Sequence, residues 1–178
     1  MEYYTLRVAG LSRKLPLCPI NDKLDIAAFI MFSDVELTIA CAKELLKKVP
    51  EFDVIITAES KGIPLGYELS RQSGKKYIVA RKSVKLYMKD PVSIEVKSIT
   101  TDSRQTLYLD SVDMKYLKGK RVLIADDVIS TGESLNSLEK LVGMAGGNIV
   151  CRSAVLAEGD AAERDDIVFL AKLPLFFK

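Results

Sequence analysis

The chain of 178 residues contains no histidine, and its three cysteines, Cys18, Cys41 and Cys151, stand far apart. Without histidine, serine and cysteine triads of the usual kind are excluded, so acid–base chemistry falls to carboxylates, lysine or substrate phosphates. An odd number of widely spaced cysteines with no histidine beside them forms neither a zinc pattern nor a disulfide framework. We therefore expect each cysteine to pack in the core.

The sequence also lacks a long hydrophobic run, a strong net charge and a dinucleotide-binding glycine pattern. No stretch of eighteen apolar residues exists, and the opening Met-Glu-Tyr-Tyr lacks the basic and then apolar order of a secretory signal. The net charge of +2 is too small and too evenly spread to indicate nucleic-acid binding. No Gly-x-Gly-x-x-Gly follows any predicted strand, which excludes a Rossmann dinucleotide site. These absences favour a cytoplasmic protein that binds neither membranes nor nucleic acid.

Short apolar strands alternate with amphipathic helices along the chain. Strands are predicted over residues 53–57, 76–80, 121–125, 148–157 and 167–171, and helices over 33–48, 62–72 and 132–144. After Arg121, the strand 121–125 shows no polar alternation, as in a central parallel strand that is covered on both faces. The order predicts a doubly wound α/β fold, with a central parallel sheet and helices on both faces. At this length we expect a single domain over residues 1–178.

The most informative segment is Val-Leu-Ile-Ala-Asp-Asp-Val-Ile-Ser-Thr-Gly-Glu-Ser at 122–134. In open parallel sheets, ligands bind beyond the carboxyl ends of the strands, and this strand ends at Asp126 and Asp127. Two carboxylates at that place can accept hydrogen bonds from neighbouring sugar hydroxyls or help to hold a divalent cation. We expect that cation to be magnesium.

A turn rich in hydroxyl groups follows the acidic pair. It consists of Ser130, Thr131, Gly132, Glu133 and Ser134. Its glycine lets the backbone come close to a ligand, and the unpaired amides at the start of the next helix favour a phosphate monoester. Alone, an acidic pair at a strand end is common and such a turn can be a simple helix cap. Joined in this order, they indicate a ribose-phosphate site.

Two further loops place charged and hydroxyl residues after predicted strands. Glu59, Ser60, Lys61 and Gly62 follow the strand 53–57, whereas Arg81, Lys82 and Lys85 follow the strand 76–80. Cations at such a place suit an anionic ligand. The alternatives are an ordinary strand-to-helix turn for the first loop and a solvated charged face for the second.

Together these segments resemble the purine branch of the type I phosphoribosyltransferases, which bind phosphoribosyl pyrophosphate. The segment 122–134 is similar to the family signature, and the loop 59–62 and the tripeptide 80–82 are similar to adenine and xanthine phosphoribosyltransferases. The resemblance implies that Asp126 and Asp127 are catalytic. It also implies that the turn 130–134 holds the 5′-phosphate, while Glu59, Ser60, Lys61, Gly62, Arg81, Lys82 and Lys85 hold the pyrophosphate. Mg²⁺ as cofactor and a homodimer are further implications.

Residues 88–110 alternate between polar and apolar and predict a solvent-facing antiparallel hairpin. In the family, a flexible flap at this place, about 83–110 here, closes over the reacting sugar and shields it from water. A small hood, largely residues 1–34, covers the base. Within it we expect the proline-punctuated segment 15–20 to be irregular. Phe32 is similar to the phenylalanine that stacks on the purine in the adenine branch, and burial in the core is its alternative.

The identity of the base rests on fewer residues. Phe32-Ser33-Asp34 and the Arg-Lys pattern favour adenine, although the flap has no match to the adenine branch's glutamate-tyrosine pair, because residues 99–101 lie opposite it and Glu95 comes too early. Residues 96–100 are similar to xanthine phosphoribosyltransferases, so xanthine, hypoxanthine and guanine stay open. A non-catalytic sensor of phosphoribosyl pyrophosphate is another alternative, since residues 92–108 resemble a purine-repressor effector domain. A receiver-like binding protein would explain the paired aspartates but not the glycine turn.

Overall fold

The structure is a computed structural model that describes residues 2–97 and 104–178. Its strands are β1 (Tyr3–Val8), β2 (Leu11–Asn21), β3 (Leu24–Ala27), β4 (Val54–Ala58), β5 (Lys76–Ala80), β6 (Val92–Lys97), β7 (Arg104–Leu109), β8 (Arg121–Ile129), β9 (Asn148–Glu158), β10 (Val168–Leu173) and β11 (Leu175–Phe177). Its helices are α1 (Val35–Leu46), α2 (Ile63–Ser73), α3 (Ser111–Leu117) and α4 (Glu133–Met144), with a short 3₁₀ helix at Gly159–Glu163.

A parallel five-stranded sheet in the order β10-β9-β8-β4-β5 forms the centre of the fold. All five residues of β4 are buried, as expected of a central strand covered on both faces. Ile55 belongs to the core on the side of α1 and α2, whereas Ile56 belongs to the core on the side of α4. The predicted doubly wound α/β fold is confirmed.

The sequence explains where the helices begin and end. The Asp34 carboxylate caps α1 by accepting a hydrogen bond from the Leu37 amide at 3.1 Å. In α2, Pro64 occupies the first turn, where its missing N–H is not needed, and Gly74 ends the helix with φ +70°. The predicted helices agree with these bounds to within about two residues.

The N-terminal residues form a second sheet, in the antiparallel order β1-β2-β3-β11. The expectation that residues 15–20 are irregular is wrong, because they lie inside β2. Both prolines sit where a strand tolerates them: Pro16 at the end of the pairing with β1, and Pro19 beside a register shift in the pairing with β3. The C-terminal strand β11, which was not predicted, closes this hood sheet against β3.

Strands β6 and β7 pair as an antiparallel hairpin at the place of the predicted flap. The prediction that this hairpin faces solvent is wrong for one of its faces, because Leu107 and Leu109 are buried in the same core as the apolar face of α4. Tyr108 also bridges to Arg81, next to the end of β5. The segment 99–101, aligned above with the glutamate-tyrosine pair, lies outside the described residues.

Helix α3 follows the hairpin and was not predicted; Asp110 caps it by accepting a hydrogen bond from the Val112 amide at 2.8 Å. In the described part of the chain, no helix combines the length and the apolar character needed to cross a membrane.

Candidate active site

Three loops meet at one edge of the central sheet. Strand β4 lies between β8 and β5, and all three run in parallel, so their carboxyl ends point to the same edge. The loops that follow them contain the predicted phosphate turn and both predicted pyrophosphate segments. The acidic pair lies within β8 itself, because this strand continues to Ile129 and does not end at residue 125 as predicted: Asp126 still pairs with Ala154 of β9. The fold therefore brings together sequence segments that are far apart along the chain.

The acidic pair is held in a defined arrangement. The Asp127 backbone amide donates a hydrogen bond to Oδ1 of Asp126 at 2.9 Å. Oδ2 of Asp127 is buried, lies 3.5 Å from Nζ of Lys61, and accepts no hydrogen bond from the described residues. A buried carboxylate oxygen in that state is ready to accept a hydrogen bond from a ligand or to bind a cation.

Burial and charge act together on Asp126. Its pKa is raised well above the ordinary value of 3.8, mainly because its carboxyl group is withdrawn from water and further because the Asp127 carboxylate is close. The positive charge of Lys61 opposes this rise. An arriving cation or hydroxyl donor would therefore favour the ionised form of Asp126.

Gly62 brings the first pyrophosphate loop against the acidic pair. A Cβ atom at this position would lie 2.9 Å from Oδ1 of Asp126 and closer still to Oγ1 of Thr57. Because both neighbours belong to packed strands, only glycine lets the loop come this near. The position of Lys61 over Asp127 thus depends on the absence of a Cβ atom at Gly62.

Glu59 organises the basic segment that follows β5. Its Oε2 accepts a hydrogen bond from the Lys82 amide at 2.9 Å and pairs with Nε of Arg81 at 3.2 Å. The Lys82 amide, followed by the positive charges of Arg81 and Lys85, lowers the pKa of Glu59. Glu59 therefore holds the backbone of Lys82 and the side chain of Arg81 in place. Lys85 donates a hydrogen bond to Oγ of Ser83 at 2.7 Å.

The predicted phosphate turn forms a cradle at the start of α4. Gly132 has φ +81°, a conformation that favours glycine, and no side chain caps the helix. Among the described residues, the hydroxyl groups of Ser130, Thr131 and Ser134 have no hydrogen-bond partner. A cavity of about 110 Å³ lies between this turn and Asp126. The helix-cap alternative therefore does not account for these hydroxyl groups.

A second cavity, of about 280 Å³, lies between the hood and the sheet. It is lined by Ile26, Ala27, Ala28, Phe29 and Ile30 from the hood side, and by Lys61, Val128, Ser130, Glu158 and Leu173 from the sheet side. This volume is near the lower end of the roughly 300–1,000 Å³ typical of small-molecule sites. Because Lys61 and Ser130 also belong to the polar loops, the cavity opens beside the acidic pair. We call it the hood pocket.

The structure places Phe32 elsewhere. Its side chain is 48% exposed, and it lines a neighbouring cleft together with Val35 and Tyr67 rather than the hood pocket. Burial in the core, the alternative for this residue, is wrong. Phe29 and Ile30 line the hood pocket instead, and no signal in the sequence distinguished them, because residues 28–32 are all apolar.

The described residues offer few groups that could hold Mg²⁺. Within residues 2–97 and 104–178, no cluster of three or more acidic, cysteine or histidine side chains could hold a metal ion. Mg²⁺ in nucleotide sites is usually held by one or two carboxylates together with substrate phosphates. Asp126 and Asp127 fit that second arrangement, since Oδ2 of Asp127 accepts no hydrogen bond from the described residues.

Comparison with known proteins identifies the family. The profile of the Phosphoribosyl transferase domain matches residues 36–172, which is most of the chain. The chain belongs to this family. Members of the family are pentosyltransferases, so the chain is an enzyme of that class, and the receiver-like alternative is excluded.

Two relatives of this phosphoribosyltransferase are named as enzymes for different purine bases. One, from Methanocella arvoryzae, is named hypoxanthine/guanine phosphoribosyltransferase and is 36% identical over 143 residues, covering 80% of this chain and 68% of the relative. Another, from Acetivibrio thermocellus, is named adenine phosphoribosyltransferase and is 34% identical over 123 residues, covering 67% of this chain and 69% of the relative. The crystal structure of adenine phosphoribosyltransferase from Thermoanaerobacter pseudethanolicus shares the fold, with a TM-score of 0.73 and 22% identity over 89% of this chain and 95% of that one.

Proposed function

We propose that this phosphoribosyltransferase transfers 5-phosphoribose from phosphoribosyl pyrophosphate to a purine base, giving the nucleoside monophosphate and pyrophosphate. The observation that carries the proposal is the contact of three loops at one sheet edge, where Lys61 lies 3.5 Å from Asp127 and Gly62 packs on Asp126. The names of the relatives, which include adenine and hypoxanthine/guanine enzymes, support a purine as acceptor.

In this proposal each loop holds one part of the substrate. The turn 130–134 binds the 5′-phosphate through helix amides and hydroxyl groups. Ser60, Lys61, Arg81 and Lys82 face the pyrophosphate, while Asp126 and Asp127 accept hydrogen bonds from the ribose hydroxyls. The carbon–oxygen bond to pyrophosphate breaks, and a purine ring nitrogen bonds to the anomeric carbon. The proton that this nitrogen gives up passes to the departing pyrophosphate. The negative charge of the acidic pair favours the cationic sugar that forms between these events.

We propose Mg²⁺ as the cofactor that accompanies phosphoribosyl pyrophosphate. The unpartnered Oδ2 of Asp127 and the neighbouring Asp126 would hold it together with substrate oxygens. When bound, it supplies positive charge that stabilises the departing pyrophosphate. The described residues offer too few carboxylates to bind it tightly without substrate, so magnesium affinity should rise when phosphoribosyl pyrophosphate is present.

The proposal also concerns which purine base is the acceptor. The tripeptide at 32–34 and the Arg-Lys pattern favour adenine, yet Phe32 lies outside the hood pocket. Xanthine, hypoxanthine and guanine are therefore retained as candidates beside adenine.

Pyrophosphate release tests the proposal directly. Purified protein would be mixed with phosphoribosyl pyrophosphate, magnesium and adenine, xanthine, hypoxanthine or guanine in separate reactions. Release that depends on a purine, with the matching nucleotide found by mass spectrometry, is the expected result. If no pyrophosphate is released with any of the four bases although phosphoribosyl pyrophosphate binds tightly, the result would contradict a catalytic role and favour a sensor.

We also propose that the protein works as a homodimer, as the resemblance to type I phosphoribosyltransferases implies. Light scattering on the purified chain should then give twice the chain mass of 19.7 kDa at micromolar concentration. A mass of one chain at all concentrations would contradict this part of the proposal.

A further inference from the structure

Glu158 is the one acidic side chain among the residues that line the hood pocket. It is the last residue of β9, directly after the buried residues Val155, Leu156 and Ala157. Among the described residues, no hydrogen bond or ion pair engages its carboxylate. A half-buried carboxylate without a protein partner, at the mouth of a mainly apolar cavity, is available to accept hydrogen bonds from a ligand.

The fold fixes the backbone that presents Glu158. Its residue pairs with Leu173 in the parallel pairing of β9 with β10. The next residue, Gly159, has φ +57°, and a Cβ atom there would lie 3.0 Å from Cδ1 of Leu175 in β11. Because strands on both sides hold this turn, the carboxylate is presented from a rigid part of the fold rather than from a mobile loop.

The other side chains of the hood pocket are apolar or engaged elsewhere, so Glu158 is the group that can bind the polar edge of a base. The hood contributes apolar side chains such as Ile26, Phe29 and Ile30, which suit the faces of a flat ring. Lys61 is committed to the acidic pair through its contact with Asp127, and Ser130 belongs to the phosphate cradle. Recognition of the polar edge of a purine in this cavity therefore falls first to the Glu158 carboxylate.

A carboxylate only accepts hydrogen bonds, and purines differ in what they donate. Guanine presents its N1–H and its exocyclic amino group side by side, so both can point at the two oxygens of one carboxylate. Hypoxanthine has only the N1–H on this edge, and in xanthine a carbonyl oxygen separates the two N–H groups. Adenine has one amino group beside an N1 lone pair, which would face a carboxylate oxygen with like charge.

We propose that Glu158 selects guanine as the acceptor base by accepting hydrogen bonds from its N1–H and amino groups. This inference rests on the proposed function, because it assigns the base for the same site. It replaces adenine, favoured by the tripeptide at 32–34, with a 6-oxopurine.

The test compares the wild type with Glu158→Gln. In the wild type, kcat/KM for guanine should exceed that for adenine by roughly tenfold or more, the range of one well-made bidentate pair. The glutamine amide turns an N–H toward the N1–H of guanine but can pair with adenine through both its donor and its acceptor. We therefore expect kcat/KM to fall roughly tenfold to a hundredfold for guanine and to rise for adenine.

Matched variants separate this role from a loss of structure. Asp160→Asn removes an equal charge from an exposed position two residues away and should leave the ratio of guanine to adenine activity unchanged. Glu158→Asp keeps the two acceptor oxygens, so it should keep the preference for guanine but raise the KM for this base. Thermal unfolding of each variant would show whether a change in activity reflects the site, and Glu158→Asp serves if Glu158→Gln does not fold.

Binding measurements distinguish failure of this inference from failure of the proposed function. Calorimetry with GMP and AMP reports base preference without turnover. If no purine supports pyrophosphate release but GMP binds more tightly than AMP, and Glu158→Gln reverses that order, the proposed function fails and the role of Glu158 stands. Preference of the wild type for adenine, or a guanine-to-adenine ratio that Glu158→Gln leaves unchanged, would overturn the inference.

Discussion

The folded structure disfavours the ionised form of Asp126. Its raised pKa, caused mainly by withdrawal from water and then by Asp127, means that the folded protein favours the neutral form more than the unfolded chain does. Ionising it therefore costs folding free energy, and this cost is fully present above the folded pKa. It is absent below the unfolded value near 3.8, where both states are protonated.

Replacing Asp126 by asparagine should therefore stabilise the free protein at neutral pH. The neutral amide removes the charge and can donate a hydrogen bond to Asp127, so we expect a gain on the order of 1 kcal/mol in the free energy of unfolding. Thermal unfolding measured from pH 3 to pH 8 would show the gain shrinking as the pH falls through the folded pKa. A gain that grows toward acid pH would refute this account of Asp126.

Gly62 is the residue whose size matters most in the site. Gly62→Ala would push a Cβ atom into Asp126 and Thr57, so the loop that positions Lys61 must move. Displacements of about 1 Å near reacting groups can cost about a hundredfold in rate, and we expect turnover to fall by at least that factor.

Gly143→Ala provides the matched control, because this glycine lies within α4 with no atom in reach of an added Cβ. It should leave turnover unchanged and stabilise the helix by about 0.5–1 kcal/mol. Equal activity in Gly62→Ala and the wild type would mean that the loop does not need its close approach to Asp126.

At the scale of elements, the last strand joins two sheets. Strand β10 belongs to the central sheet, and after Pro174 the chain continues as β11 in the hood sheet. Phe176 of β11 packs against Tyr4 of β1, with ring centroids 5.4 Å apart. The hood that lines one side of the cavity is thus anchored by the C-terminus.

Phe176→Ala should loosen this anchor. Loss of a half-buried aromatic contact should cost about 1–3 kcal/mol in the free energy of unfolding, and it should raise KM for the base more than KM for phosphoribosyl pyrophosphate. Phe177→Ala, at a neighbouring residue that is 78% exposed, is the control and should change neither. Chemical denaturation and steady-state kinetics measure both effects; equal behaviour of the two variants would show that β11 does not support the hood.

Elements also show which parts of the fold the sequence could predict. The parallel strands and their helices have local apolar patterns, so their positions were predicted. The hood sheet was not, because β11 pairs with β3 from the opposite end of the chain, and short strands give no local signal for a distant partner. The buried face of the hairpin depends on its packing with α4, which is likewise non-local.

For the molecule as a whole, the candidate site was predicted from charged and hydroxyl residues near the carboxyl ends of buried strands. That rule located Asp126, although β8 continues past it to Ile129, and it applies equally to Glu158 at the end of β9, which it could have found. The hood pocket itself could not be predicted, because its lining comes from both ends of the chain. Phe32 was placed by similarity to a motif, whereas in the structure it lines the neighbouring cleft, and Phe29 and Ile30 line the hood pocket.

The central claim is that the acidic pair acts on the ribose, and Asp127→Asn tests it most directly. The measurement is purine-dependent pyrophosphate release by this variant and the wild type, with thermal unfolding recorded on the same samples. We expect turnover to fall by about a hundredfold or more while the unfolding temperature changes by only a few degrees, because Oδ2 of Asp127 accepts no hydrogen bond from the described residues and its ion pair is with the exposed side chain of Lys61. Unchanged turnover in a folded Asp127→Asn variant would contradict the account.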